Sequence, residues 1–200
     1  MATTVAYEEW GRRFLEHAVS VERMLDGVNV LADRPIELGP IGVGPGRVAK
    51  VTARGRIGTA TCVRVATAPD LVFEVMLPVS LQFVLDLTMD KQRYDADLVV
   101  PLRITAHTRA DLSLLLAVAP PEPAAVSLDL RARGLRAQIT SAAAGIDAEL
   151  RRFVARYVAR EIDQPHVVRA RTIDVAAAVD RAAASVSPRR AAPTAPATGP

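Results

Sequence analysis

The stretch Val79-Ser80-Leu81-Gln82-Phe83-Val84-Leu85-Asp86-Leu87-Thr88-Met89-Asp90 has an apolar residue at every odd position. Every even position except Val84 is polar or charged. That is the two-residue period of a strand with one dry face and one wet face. The alternation returns at Leu98, Val100, Leu102 and Ile104, at Leu112, Leu114, Leu116 and Val118, and at Val126, Leu128 and Leu130. Turn-forming residues at Gly55 to Gly58, Ala68-Pro69-Asp70, Asp90 to Arg93, Thr108 to Asp111, Pro120 to Pro123 and Gly134 punctuate it. The pattern predicts strands at 47–54, 59–67, 70–77, 79–90, 95–108, 111–119, 125–133 and 135–140. Connections this short suit antiparallel pairing, because parallel strands need a crossover. Pro78 and Pro101 fall inside strand patterns, and each is expected to mark an edge, a bulge or a bend.

One-sided sheet needs a cover. Trp10, Phe14, Ala18, Val21, Leu25 and Val28 recur three or four residues apart, with charged residues on the opposite side, which predicts one helix over 7–32. At ~1.5 Å per residue it would run ~35–40 Å. Ile146, Leu150, Phe153, Val154, Tyr157, Val158 and Ile162 predict a second helix over 141–163, capped by Thr140 or Ser141 and ended by Gln164-Pro165. Residues 33–46 hold three prolines and four glycines. They read as a crossover loop, since their spacing matches neither a dinucleotide nor a P-loop fingerprint. Val167 to Thr172 reads as a closing strand, and Asp174 as the cap of a short helix ending near Val186. Ser187 to Pro200 reads as a disordered Pro/Ala-rich tail. The expected fold class is α+β, a strongly curved antiparallel sheet wrapped around two long amphipathic helices, in a single domain over 1–186.

Half of the residues are apolar and only 4% are aromatic, so the interior is aliphatic. The net charge is +3, with arginines and acids intermixed and no basic block of nucleic-acid type. Cys62 is the only cysteine, which excludes an intrachain disulfide, and in its strand pattern it reads as a small buried hydrophobe. Met1 to Glu9 has no basic and apolar leader pattern, and no run approaches ~18 consecutive apolar residues. The expectation is a cytoplasmic protein whose membrane contact is at most peripheral.

Residues suited to chemistry are scattered. His17, His107 and His166 have no metal-ligand spacing; His17 reads as a core-edge residue and His107 as solvated. Asp86, Asp90, Asp95 and Asp97, near Lys91 and Arg93, read as a charged turn facing water rather than a calcium loop. Arg151, Arg152, Arg156 and Arg160 read as the solvated face of their helix. No catalytic residue, metal ligand or cofactor is assigned. What stands out is the quantity of apolar ladder, each member of which gains ~1.5–3 kcal/mol on burial. Surface that two helices leave uncovered must meet a ligand, a partner or a second copy of the chain. The expected lining of a groove is therefore Phe14 from the first helix, Leu81, Phe83, Leu85, Leu87, Leu98, Val100, Leu102, Ile104, Leu114 and Leu116 from the strands, and Leu150, Phe153 and Tyr157 from the second helix.

The order of long helix, crossover loop with Pro-Ile-Gly-Val-Gly-Pro-Gly at 40–46, long antiparallel strands, second long helix and closing strand resembles the tubular lipid-binding (TULIP) superfamily. It looks most like the small members found in actinobacteria. The resemblance covers about residues 7–180 and rests on element order rather than on a diagnostic motif. It implies a sheet bent around a long helix with a lipid held in the seam, hence a non-enzymatic binding protein for a phospholipid, a fatty acyl chain or a polyprenyl compound. The better-known bacterial relatives are secreted or membrane-anchored, and this chain departs from them in showing no leader pattern. The alternatives are an interaction protein that buries its apolar surface in a homodimer, and a helix-grip (START or polyketide-cyclase-like) cavity protein.

Overall fold

A computed structural model of the chain describes residues 3–33, 35–43, 49–66, 70–87, 90–133 and 142–186. The elements run α1 (Tyr7–Ala18), α2 (Val21–Asn29), β1 (Pro35–Val43), β2 (Ala49–Ile57), β3 (Thr61–Arg64), β4 (Leu71–Leu87), β5 (Asp90–Thr108), β6 (Ser113–Ala119), β7 (Ser127–Arg133), α3 (Ala142–Ile162), α4 (Pro165–Ala170), β8 (Thr172–Asp174) and α5 (Val175–Val186). A 3-10 turn over Pro123–Ala125 precedes β7. The expected strand at 135–140, the cap at Thr140 or Ser141 and the tail at 187–200 lie outside the described residues, as do the side chains of Leu87 and Ile146.

All pairings among the described strands are antiparallel, in the order β1-β2-β4-β5-β6-β8, with β3 also on β4 and β7 also on β5. The fold is α+β with a strongly curled antiparallel sheet, a half-barrel, and helices against it. The β4–β5 hairpin is its spine. All 17 residues of β4 pair with β5 without a register shift, and at ~3.4 Å per residue that ladder is ~58 Å of strand, too long to stay flat in a small domain.

The two internal prolines explain where the sheet bends. Residues 70–77 and 79–90 are not separate strands: β4 runs through Pro78 with no bulge against β5. On its other side, however, β2 stops at Val79 and β3 starts at Met76. The Pro78 carbonyl accepts a 2.8 Å bond from Gly58 N–H in that gap, so the missing proline donor also faces it. Pro78 pairs with Val99, and strand alternation turns Pro101, two residues on, toward the opposite side of β5. There too the ladders are interrupted, since β7 ends at Val99 and β6 begins at Arg103. Both prolines sit where no neighbouring strand needs their N–H. The close approach of β2 to β4 depends on Gly55, where a Cβ would come within 2.1 Å of the Ser80 carbonyl oxygen.

The dry face is the expected one. Phe73, Val75, Leu77, Leu81, Phe83 and Leu85 of β4 are buried, as are Tyr94, Ala96, Leu98, Val100 and Ile104 of β5. Phe83 stacks on Tyr94 across the hairpin with ring centroids 5.0 Å apart. The wet face is laced with ion pairs: Asp86 to Lys91 at 3.2 Å, Glu74 to Arg103 at 3.2 Å, Asp97 to Arg131 at 3.3 Å, and Asp95 to Arg133. Asp86, Asp95 and Asp97 are thus water-facing partners of cations on that face.

Four further sequence expectations are corrected. The N-terminal segment is two short helices and not one long one, because Ser20 caps α2, its Oγ accepting from Arg23 N–H, and Val19 leaves helical geometry to bury in the core. Part of the presumed loop at 33–46 is β1. It tolerates its prolines because it is an edge strand, with Pro35 at its first position and a cis Gly39–Pro40 bond within a register shift between Leu38 and Ile41. The closing segment is mostly helix α4, since Pro165 sits at the start of the helix, where no backbone donor is lost. Only Thr172–Asp174 pairs as a strand, on β6. Finally, Arg151 does not belong to a solvated face. It is half-buried, paired with Asp147 at 2.5 Å, and its Nη1 donates at 2.7 Å to the carbonyl of the fully buried Val126, joining α3 to the end of the 3-10 turn that precedes β7.

Candidate functional site: an apolar cleft

The break between α1 and α2 matters for more than helix length. It brings Phe14 and Ala18 of α1 and Arg23 and Met24 of α2 into one lining with Leu114 and Leu116 of β6 and Ile173 of β8. Asn29 fixes the far end of α2 by accepting a 2.8 Å bond from Ala60 N–H. On the other wall, Leu114 pairs with Ile173, Leu116 N–H donates to the Arg171 carbonyl at 2.9 Å, and Val175 N–H donates to the Leu112 carbonyl at 3.2 Å. Asp174 caps α5 as its sequence position suggests, accepting from Ala177 N–H at 2.8 Å. Helical spacing then puts Val175 and Ala178 on one side.

Between these walls lies a cleft of about 330 Å³, lined by Phe14, Ala18, Val19, Arg23, Met24, Leu114, Leu116, Ile173, Val175 and Ala178. Its volume is at the lower end of the ~300–1,000 Å³ of small-molecule sites. Ala18 and Ala178 contribute only a methyl group each to the lining. The mouth is apolar as well. Phe14 is 37% exposed and Ile173 40%, and Trp10, 59% exposed, stacks on Phe14 with ring centroids 5.3 Å apart. Arg23 is the one charged group of the lining. Its Nη1 donates at 3.2 Å to the Ala18 carbonyl, and no carboxylate among the described residues forms an ion pair with it.

Of the expected lining, the structure brings Phe14, Leu114 and Leu116 together in the cleft. Leu81, Phe83, Leu85, Leu98, Val100 and Ile104 are buried in the interior of the half-barrel, and Leu102 is half-buried against it. Leu150 and Phe153 pack on that interior from α3. Tyr157 stacks on Phe153 with centroids 6.3 Å apart, and burial pushes its phenol above the usual range. Sequence reasoning missed Ala18, Val19, Arg23, Met24, Ile173, Val175 and Ala178. The signals present were Ser20 as a cap within an apolar stripe and Asp174 before a short apolar helix.

Elsewhere the chemistry is sparse. His17, His107 and His166 are exposed; His17 is thus more exposed than the core-edge position expected for it. Cys62 is half-buried and packs on the core, and burial pushes its thiol up, disfavouring the thiolate. Among the described residues no group of three or more His, Cys, Asp or Glu side chains could hold a metal ion, and no helix is long and apolar enough to cross a membrane. The cleft can shield an apolar molecule from water and present the Arg23 guanidinium to it. No protein-family model, curated protein or solved structure matches the chain.

Proposed function

We propose that the protein is a non-enzymatic binding protein for an apolar ligand, a lipid or another molecule with an aliphatic chain, in the manner of the tubular lipid-binding superfamily. The observation that carries this reading is the cleft of about 330 Å³, whose lining is apolar except for Arg23. A ligand seated there would remove from water the apolar surface that Phe14 and Ile173 leave exposed, a favourable term of ~25 cal/mol per Å². The binding site in this reading is the edge of the sheet, between the α1–α2 corner and α5, rather than the seam along α3. The test is native mass spectrometry of the purified protein with organic extraction of anything bound. Adducts of discrete lipid mass, lost in Ala178→Leu, are the expected result. A bare mass, in a sample that also fails to bind a fluorescent fatty acid, would overturn the reading.

A second reading has its own observation. Tyr7, Trp10 and Phe14 form an exposed apolar stripe on α1, which suits a homodimer contact. Concentration-dependent mass in light scattering, abolished by Trp10→Ser with no bound lipid in either protein, would favour it over ligand binding.

A further inference from the structure

We infer that the occupant of the cleft is a single-chain aliphatic acid, bound tail-first with its carboxylate at Arg23; this rests on the binding reading above. Size and charge both point there. A cleft of about 330 Å³ lies at the bottom of the range for small-molecule sites and suits one chain rather than a two-chain phospholipid. Leu114 and Leu116 form its deep end: Leu114 is buried and Leu116 half-buried. Arg23 is exposed, so its charge lies at the solvent side of the same cleft.

The surroundings of Arg23 leave that charge available. The Nη1–Ala18 bond anchors the guanidinium against the C-terminal end of α1. Of the acids near it on α1 and α2, Asp26 forms no ion pair with it among the described residues, and Glu22, Glu16 and Glu9 are engaged elsewhere. Glu22 is turned to the α2 cap, where its hydrogen bond with Ser20 holds its carboxyl below the usual range. Glu16 pairs with Arg12 at 3.1 Å and with Arg64 at 3.0 Å, and Glu9 with Arg12 and Arg13. Among the other arginines of α1 and α2, Arg12 and Arg13 are thus neutralised by partners on their own helix. A guanidinium offers a carboxylate charge-assisted bonds in a planar fork. A ligand with a neutral head would gain the apolar contacts but not these bonds. A cationic head would meet repulsion.

The chain contains one tryptophan, Trp10, stacked on Phe14 at the mouth, so its fluorescence reports occupancy. The experiment titrates the full chain with dodecanoate, dodecan-1-ol and dodecyltrimethylammonium, and repeats each titration by calorimetry. The wild type is expected to bind dodecanoate about tenfold tighter than dodecan-1-ol, and the cation weakest. In Arg23→Gln the acid and the alcohol should bind alike, at the wild-type affinity for the alcohol, with an unchanged melting curve. Arg23→Lys should keep a preference for the acid. Equal binding of acid and alcohol by the wild type, or an undiminished preference in a folded Arg23→Gln, overturns the assignment of the head group while leaving the cleft as an apolar site. Binding of none of the three probes overturns the site itself.

Discussion

The dry face of one sheet is covered in two different ways. Under β2, β4, β5 and β7 it is closed: Phe73, Val75, Val100 and Val126 are fully buried, and α2 and α3 press Met24, Leu25, Val28, Leu150, Phe153 and Val154 onto it. At β6 and β8 the same face opens into the cleft, where Phe14 and Ile173 remain more than a third exposed. The strand pattern does not differ between them, for Leu114 and Leu116 alternate as cleanly as Leu81 and Phe83. What differs is the cover. Aromatic and branched side chains meet across the closed part, whereas Ala18 and Ala178 face the leucines of β6 at the open part. A sheet's own period thus says that a face is dry, and the bulk of the covering residues decides whether it is filled.

The largest effect is expected in the closed part. Phe83→Ala removes a ring that is buried, stacked on Tyr94 and seated among Ala53, Leu81 and Leu85. It should cost ~3–5 kcal/mol, read from urea unfolding. A cost under ~1 kcal/mol would mean that the closed interior is no better packed than the cleft. The next effect is polar. Arg151→Ala deprives the Val126 carbonyl of its donor inside the core and leaves Asp147 without its partner. Leaving such a group buried and unsatisfied costs ~1–3 kcal/mol. Arg151→Lys should restore little, because one ammonium does not replace the fork that spans Asp147 and Val126.

In the open part, stability and binding should separate. Ile173→Ser trims a side chain that is already 40% exposed, so the loss should stay near ~1 kcal/mol. Affinity for an aliphatic ligand should nevertheless fall, since Ile173 forms part of the lining. If unfolding shows a loss as large as that of Phe83→Ala, the two regions are one core, and the distinction between them fails.

These two regions were unequally legible in the sequence. The closed one rests on local alternation, and the parity of Leu81 to Leu85 and of Leu98 to Ile104 already placed their side chains inside. The position of α3 was equally plain, because its stripe runs from Ile146 to Ile162 within a helix of 21 residues. The cleft depends on features that periodicity does not carry. The stripe from Trp10 to Val28 keeps its helical spacing straight through the break, so only Ser20 betrays the corner. The opposite wall depends on the pairing of Leu114 with Ile173, residues far apart in sequence and joined by a strand of three residues, too short to register as a pattern. Arg23 was hidden for the same reason: on a single straight helix it falls on the charged side.

The smallest effect lies at the hinge between the two parts. The hairpin turn from β5 to β6 closes with Arg109 N–H bonded to the Ser113 carbonyl at 2.9 Å and Leu112 N–H to the Arg109 carbonyl at 3.1 Å. Leu112 holds φ at 60°, and its side chain is 66% exposed. Left-handed backbone costs a leucine ~1–2 kcal/mol, and glycine escapes that cost while losing ~0.5–1 kcal/mol more in chain entropy. Leu112→Gly should therefore stabilise by ~0.5 kcal/mol, measured as a small rise in the urea midpoint. The carbonyl that receives Val175 N–H belongs to the backbone, so the wall of the cleft should keep its place and ligand affinity should not change. A variant that gains stability and loses affinity would show that the exposed leucine itself touches the ligand. The open region would then extend past Ile173 onto the hairpin tip, and the strained backbone would be explained by what it presents.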